Sequence, residues 1–464
     1  MNGLECKEIL LSNTLTATDY FRLEAEYYNS TTISYQSTLK GKDIVFNIQY
    51  GTSKYCDEQK DGYPVLRLNE LHNSFIDIPQ KYCHILSPDE FEELRLKKGD
   101  VLVIRTNGNP NLVGRAAVVL DDSNFAFASY LYRITTNEKI NPETLVAYLN
   151  CKYGRYEIDK NSIKSNQTNF SPAKFRDINI PIFNTFLQNI IKNVFDKAYQ
   201  CRVNADSEFV SAEQMLISAV GFASCGNNSN NVSIKSFSES FSLSGRLDSE
   251  YYLPKYDEYK NMINSQETIN SLCTIYNENY IPNNKTKYKY IELSNIGTIG
   301  DINDVEEWLG EKLPTRARRK IKKGQVIVSS IEGSLQSCAL VTEEYHNAIC
   351  STGFYVIDSP YINSETLLVL LKSIPIQALL KQQCSGTILT AVNVEDFKKI
   401  NLPKIDIELQ GIIKEKINNV YKLKNEAKQL LDYAKQAVEM AIEQNEEVAL
   451  DWLKDKTCSY EVEI

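Results

Sequence analysis

The sequence predicts an α+β protein: two similar globular domains separated by two long antiparallel helices, a pseudo-twofold internal repeat. The first observation behind this is repetition. RLEAEYY at 22–28 returns as RLDSEYY at 246–252, VLRLNEL at 65–71 as YIELSNI at 290–296, and LKKGDVLVI at 96–104 as IKKGQVIVS at 321–329. NPETLVAYL at 141–149 pairs with NSETLLVLL at 363–371 and INIPIF at 178–183 with INLPKI at 400–405, in the same order and at a nearly constant offset. The second observation is a change of hydrophobic period after each INxP block, from short strand-like runs to a helical stripe. The third is length: 464 residues exceed one comfortable core, and the repeat period far exceeds that of a solenoid unit, so each copy is a whole domain.

Residues 1–185 form the first globular domain. Strand-like runs at 101–105, 115–120 and 130–134 are separated by Gly, Asn, Pro and Asp, and a helix-like stretch follows at 142–153. Residues 186–224 are the first long helix: Leu187, Ile190, Ile191, Val194, Phe195 and Ala198 recur at spacings of three and four, and Phe209, Ala212, Met215, Leu216, Ala219 and Val220 resume the stripe. Such a helix extends roughly 55 Å, too far for one compact domain to cover its stripe, so the two helices are expected to pack on each other. Residues 225–245, rich in Ser and Asn, read as a linker. Residues 246–407 are the second globular domain and 408–446 the second long helix, with its stripe through Leu409, Ile412, Ile413, Ile417, Val420 and Tyr421, then Ala427, Leu430, Leu431, Ala434, Val438, Ala441 and Ile442. Residues 447–464 form an acidic C-terminal tail.

The net charge of −9 argues against a uniformly basic surface, but distribution matters more. From 443 onward seven acids face only Lys454 and Lys456, whereas Arg316, Arg318, Arg319, Lys320, Lys322 and Lys323 form a basic cluster without a local counter-charge. Eleven cysteines, with no Cys-x-x-Cys, read as reduced thiols. Neither a secretory leader nor a membrane span is visible, so a soluble cytoplasmic protein is expected.

Catalytic chemistry finds little support. GNPNLVGR at 108–115 lacks the Gly spacing and the Lys-Ser/Thr of a phosphate-binding loop. Asn109-Pro110-Asn111 lacks the second Pro and the aromatic of an amino-methyltransferase signature and reads as a turn. Pro88-Asp89 with Glu93-Leu94-Arg95 lacks the Lys of a nuclease carboxylate cluster and reads as a solvated helix face. His72, His84 and His346 are isolated, and adjacent Cys83 and His84 point to opposite faces of a strand. Binding outranks catalysis, and no cofactor or metal is expected on this chain.

The RLEAEYY and RLDSEYY blocks, the stretches LKKGDVLVIRTNGNPNLVGRAAVV and IKKGQVIVSSIEGSLQSCALV, the SGTILTAVNVEDFKKINLPKI segment and the closing helix KNEAKQLLDYAKQAVEMAI span almost the whole chain. In that order the chain resembles the specificity subunit of type I restriction-modification systems. The resemblance implies two target recognition domains, each reading one half of a bipartite double-stranded DNA site. It implies helices that act as spacer and as dock for two methyltransferase subunits, with restriction or translocase subunits joining that core. S-adenosylmethionine would then belong to the methyltransferase, and this chain would catalyse neither reaction.

Base reading calls for polar side chains on exposed loops and phosphate contact for cations. The first domain offers Arg105, Asn107, Asn109 and Arg115, and separately Lys164, Asn166, Gln167 and Thr168. The second offers Arg316, Arg318, Arg319 and Lys320, then Ser329, Ser330 and Gln336, and Ser385 with Thr387. The polar loops LDDSNFAFASY and TEEYHNAICST differ, so the halves should read different sequences. A competing expectation is a scaffold or specificity adaptor in another phage-defence complex with reduced DNA reading.

Overall fold

Runs of Val, Ile and Leu punctuated by glycine build the same four-stranded antiparallel sheet twice. The computed structural model describes residues 8–16, 37–72, 74–163, 167–221, 232–303, 305–386 and 390–460. The RLEAEYY block and three expected contact residues, Lys164, Asn166 and Thr387, lie outside them. Two compact units result, Met1–Arg202 with Lys424–Ile464, and Val203–Leu423. The division cuts across both long helices.

In the first unit the sheet runs Val45–Tyr50, Leu131–Thr136, Val101–Ile104, Ala116–Val118. In the second the order is Thr274–Tyr276, Phe354–Asp358, Val326–Ser329, Cys338–Leu340. The two central hairpins match pair for pair: Val101 opposes Val118 as Val326 opposes Leu340. Each is entered by a KKG turn. Gly99 and Gly324 sit at φ 88° and 85°, a left-handed conformation that glycine adopts without strain. Asp100 and Gln325 close these turns by accepting from the amides of Lys97 and Lys322, at 2.8 and 2.7 Å.

A helix pair backs each sheet. Pro142–Asn150 and Lys152–Asn161 in the first unit correspond to Ser364–Lys372 and Ile374–Gln383 in the second. Their apolar faces are fully buried, Leu145, Val146, Leu149, Leu367, Leu368 and Leu371 all at 0% exposure. Burying such side chains contributes about 1.5–3 kcal/mol each.

The long helices run Thr185–Val220 and Ile407–Glu443. In the first unit they are antiparallel, because the Asn184 amide donates to Glu446 and Cys201 lies 4.0 Å from Glu426. In the second unit Lys416 pairs with Glu208 at 2.9 Å. The stripes bury as their period demands at Leu187, Ile190, Ile191, Val194, Phe195 and Ala198. They are not reserved for the partner helix, however. Phe209, Ala212, Leu216, Ile413, Ile417 and Val420 share one core with the sheet residues Val326, Val328 and Ile357 of the second unit. Ala219 and Ile412 fall outside the stripe and are exposed.

The acidic segment after the second long helix is itself helical. Asn445 caps Glu446–Thr457 by accepting from the Val448 amide. Ala449, Leu453 and Thr457 are buried, and Tyr433 of the long helix meets Trp452 and Tyr460 edge-on at centroid distances of 5.7 and 6.5 Å. Among the described residues no helix is long and apolar enough to cross a membrane, and no three His, Cys, Asp or Glu side chains gather as metal ligands would.

Candidate nucleic-acid interface

In the first unit the hairpin loop between Val101–Ile104 and Ala116–Val118 carries the expected polar residues. Its shape comes from consecutive side-chain turns: Asn107 Oδ1 accepts from the Asn109 amide at 2.8 Å, and Asn109 Oδ1 from the Asn111 amide at 3.0 Å. Asn107 and Asn109 thus support the loop while remaining partly exposed. The segment around Gln167 runs alongside, since Thr168 pairs with Asn107 and the Phe170 amide donates to the Arg105 carbonyl at 2.8 Å. Gln167 is exposed on this edge.

Arg105 is the cation best placed to act. Its guanidinium lies 5.3 Å over the ring of Tyr50, its Nε is buried without a partner, and no carboxylate pairs with it among the described residues. Tyr50 is 48% exposed and Tyr130, whose carbonyl accepts from the Arg105 amide, is 42% exposed. An arginine over an exposed aromatic ring combines positive charge with a surface on which bases stack. Arg115 is engaged in contacts of its own and sits beside Arg155. Burial, and then repulsion from Arg115, lower the Arg155 pKa to about 10.

In the second unit the cations occupy an edge. Ala317–Lys320 is the outer strand of the sheet Glu306–Leu309, Lys287–Ile291, Ile349–Ser351, Ala317–Lys320, with a bulge between Ala317 and Arg319. Arg316 and Lys320 are exposed and Arg318 half-exposed; none of the three has a carboxylate partner among the described residues. Lys320 lies 5.1 Å over the Tyr280 ring. The first unit differs at the equivalent place before its KKG turn: there Pro88–Leu94 is an acidic helix capped by Ser87.

The turn at 351–353 ties Arg316 to Ser330. The Thr352 amide donates to the Arg316 carbonyl, and the Ser330 amide to the Gly353 carbonyl. Val392 N donates to the Ser330 carbonyl at 2.9 Å, the counterpart of Phe170 on Arg105. Ser385 opens onto a cleft of about 510 Å³ that the RLDSEYY block also lines. In it Arg246 is held by Asp248 through two bonds and stacked 4.4 Å from Tyr251.

Several expected contacts serve the fold instead. Ser329 is 0% exposed, its hydroxyl shared with Ser334 and accepting from the Ile331 amide. Ser330 donates to the Gly353 carbonyl, and Thr168 is 5% exposed in a two-residue strand. All three hydroxyls are buried, which withdraws them from a base. Arg319 is pinned by Asn277 and Asn279 through three bonds. The basic cluster is also opposed in part, by Glu343 on Lys323 at 2.8 Å. Sequence reading missed Tyr50 and Tyr280, because an isolated tyrosine gives no sign of a cation folding over it. It also missed Arg155, whose Nη2 donates to the Asn111 carbonyl at 3.1 Å.

No family model matches the chain. The type I restriction enzyme StySPI specificity subunit of Salmonella potsdam is 24% identical over 156 residues, a third of this chain and a third of that one. The match therefore spans only part of the relative's length. Among solved structures, the S subunit of a type I restriction-modification system from M. genitalium aligns at 13% identity, covering 91% of this chain and 97% of that one with a TM-score of 0.32. The HsdS subunit from Thermoanaerobacter tengcongensis aligns at 11% identity over 88% and 97% of the two chains, with a TM-score of 0.29. Over a third of its length, the chain is similar in sequence to the specificity subunit of a type I restriction enzyme.

Proposed function

We propose that this chain is the DNA sequence-specificity subunit of a type I restriction-modification complex. The first unit reads one half of a bipartite site through Arg105, Asn107, Asn109, Arg115 and Gln167. The second reads the other half through Gln336 and Ser385, with Arg316, Arg318 and Lys320 on phosphates. The long helices set the unread gap and dock two methyltransferase subunits, through which restriction subunits join. S-adenosylmethionine is held by the methyltransferase, and this chain carries out no chemistry itself.

The observation that carries the reading is one scaffold presenting two unlike recognition edges. The pair Phe170–Arg105 recurs as Val392–Ser330, and the KKG turns are closed by the same bond in both copies, yet the loops they support share almost no chemistry. A duplicated frame with diverged loops suits a split, asymmetric target. Long-read methylation sequencing of the source organism with and without this gene tests it. One bipartite methylated motif should vanish with the gene; an unchanged methylome would refute the proposal.

A second reading, a scaffold of another defence complex, draws on the net charge of −9 and on the burial of Ser329, Ser330 and Thr168. It predicts that neutralising Arg316, Arg318 and Lys320 leaves the DNA affinity of the assembled complex unchanged.

A further inference from the structure

Each recognition loop is gripped from behind by two side chains at matching positions of the helix pair. Asn150 and Lys372 end the first helix of each pair, and Arg155 and Gln377 lie in the second; both correspondences keep the register in which Pro142 matches Ser364 and Lys152 matches Ile374. In the first unit Asn150 Oδ1 accepts from the Ala116 amide at 3.0 Å and its Nδ2 donates to the Ala116 carbonyl at 2.8 Å. Arg155 Nη2 holds the Asn111 carbonyl at 3.1 Å. In the second unit Lys372 Nζ donates to the Gln336 carbonyl at 2.7 Å, and Gln377 Nε2 to the Leu335 carbonyl at 3.0 Å.

All four therefore bind main chain rather than outward side chains: Asn150 holds Ala116, the first residue of the returning strand, and the other three hold the return arm of the loop itself. Lys372 and Gln377 are 6% and 8% exposed, beyond reach of DNA, while Asn111 and Gln336 at the held positions face solvent. The chemistry has been exchanged between copies: an amide then a cation in the first, a cation then an amide in the second. The loops they hold also differ in length, since 105–115 joins the hairpin strands of the first unit and the shorter 330–337 those of the second. Different lengths need different anchor reach, which the exchanged side chains supply.

We propose that Asn150, Arg155, Lys372 and Gln377 are positioning residues for sequence reading: by fixing loop carbonyls they set which polar side chains meet the bases of each half-site. This rests on the reading of the two units as half-site readers. A carbonyl that loses its anchor lets the loop sample other shapes, so discrimination falls while phosphate contacts persist.

The test uses the complex assembled with its own methyltransferase subunits, scored by long-read methylation on a randomised duplex library. Arg155→Met relaxes base preference about tenfold in one half-site and leaves the other half and the gap intact. Gln377→Met relaxes the opposite half-site. Arg155→Lys, which keeps an N–H donor within reach of Asn111, retains the preference, and because Arg155 Nη1 is buried without a hydrogen-bond partner, both variants melt within a few degrees of the wild type. Full preference in both Met variants overturns the proposal. So does joint loss of both half-sites that Arg155→Lys fails to rescue, which marks an ordinary structural role. A wild-type complex with no bipartite motif overturns the functional reading as well; a motif that survives unaltered in the variants overturns this inference alone.

Discussion

Replacing Arg316, Arg318 and Lys320 together by Gln removes three cations that have no carboxylate partner among the described residues, while leaving Arg319 on Asn277 and Asn279 and Lys323 on Glu343. If each neutralises one phosphate, the slope of log affinity against log salt falls by about 0.9 per contact, so roughly 2.7 for three. The defect is then largest at low salt. Between about 50 and 200 mM a slope change of that size makes it about 40-fold worse at the lower concentration, and the curves converge toward high salt. Fluorescence anisotropy of the assembled complex on its bipartite site and on a scrambled duplex, across that range, measures both effects. Affinity for the two duplexes should drop by the same factor, because phosphates carry no sequence information. An unchanged salt slope would refute the assignment of this edge strand to DNA. A loss confined to the specific duplex would mean that the cations read bases.

Three further outcomes are expected. Arg105→Ala weakens specific binding by about 1–3 kcal/mol and broadens base choice in the first unit's half-site, checked by competition with single-base variants; equal loss on all competitors would reduce Arg105 to a phosphate contact. Leu453→Ala opens a cavity under the helix Glu446–Thr457, where Leu453 is 0% exposed, and costs about 2–5 kcal/mol in calorimetry. The Glu90 carboxyl is held down at about 2 by the Lys54 ammonium and the Ser87 amide and hydroxyl. Its folded value lies below its ordinary one of 4.5, so its stabilisation is present above that pH and is lost as pH falls toward about 2. Melting of Glu90→Gln should differ from wild type at neutral pH and match it near pH 2.

Much of the frame is legible in the sequence because it rests on local rules. KKG followed by an apolar run announces a left-handed glycine turn into a strand, and Leu187, Ile190, Ile191 and Val194 announce a helix through their spacing alone. The edges are harder. A serine after VIV reads equally well as a base contact or as a turn brace, and only its distance to Ser334 decides. Arg319 and Arg318 are neighbours in sequence, yet a strand bulge gives one to Asn277 and leaves the other near solvent. The last helix is also readable in part: Asn445-Glu446-Glu447 is an N-cap followed by acids in the first turn, a start signal outweighed by the run of negative charge. Pairings such as Lys152 with Glu443 carry no signal in a single sequence, because nothing in either segment names a partner so distant along the chain.

The first unit is assembled from both extremes of the described chain, whereas the second is one continuous stretch, Val203–Leu423. During synthesis the second unit has every residue it needs once Leu423 has left the ribosome. The first must wait until Lys424 and its successors emerge, because Lys152, Tyr153 and Asn184 bind Glu439, Glu443 and Glu446 across that separation. Contacts of such sequence separation form slowly and leave apolar surface open to aggregation in the meantime. The earlier-made half of the molecule is therefore the later to mature, and partner or chaperone capture of the nascent chain should act on the first unit rather than the second.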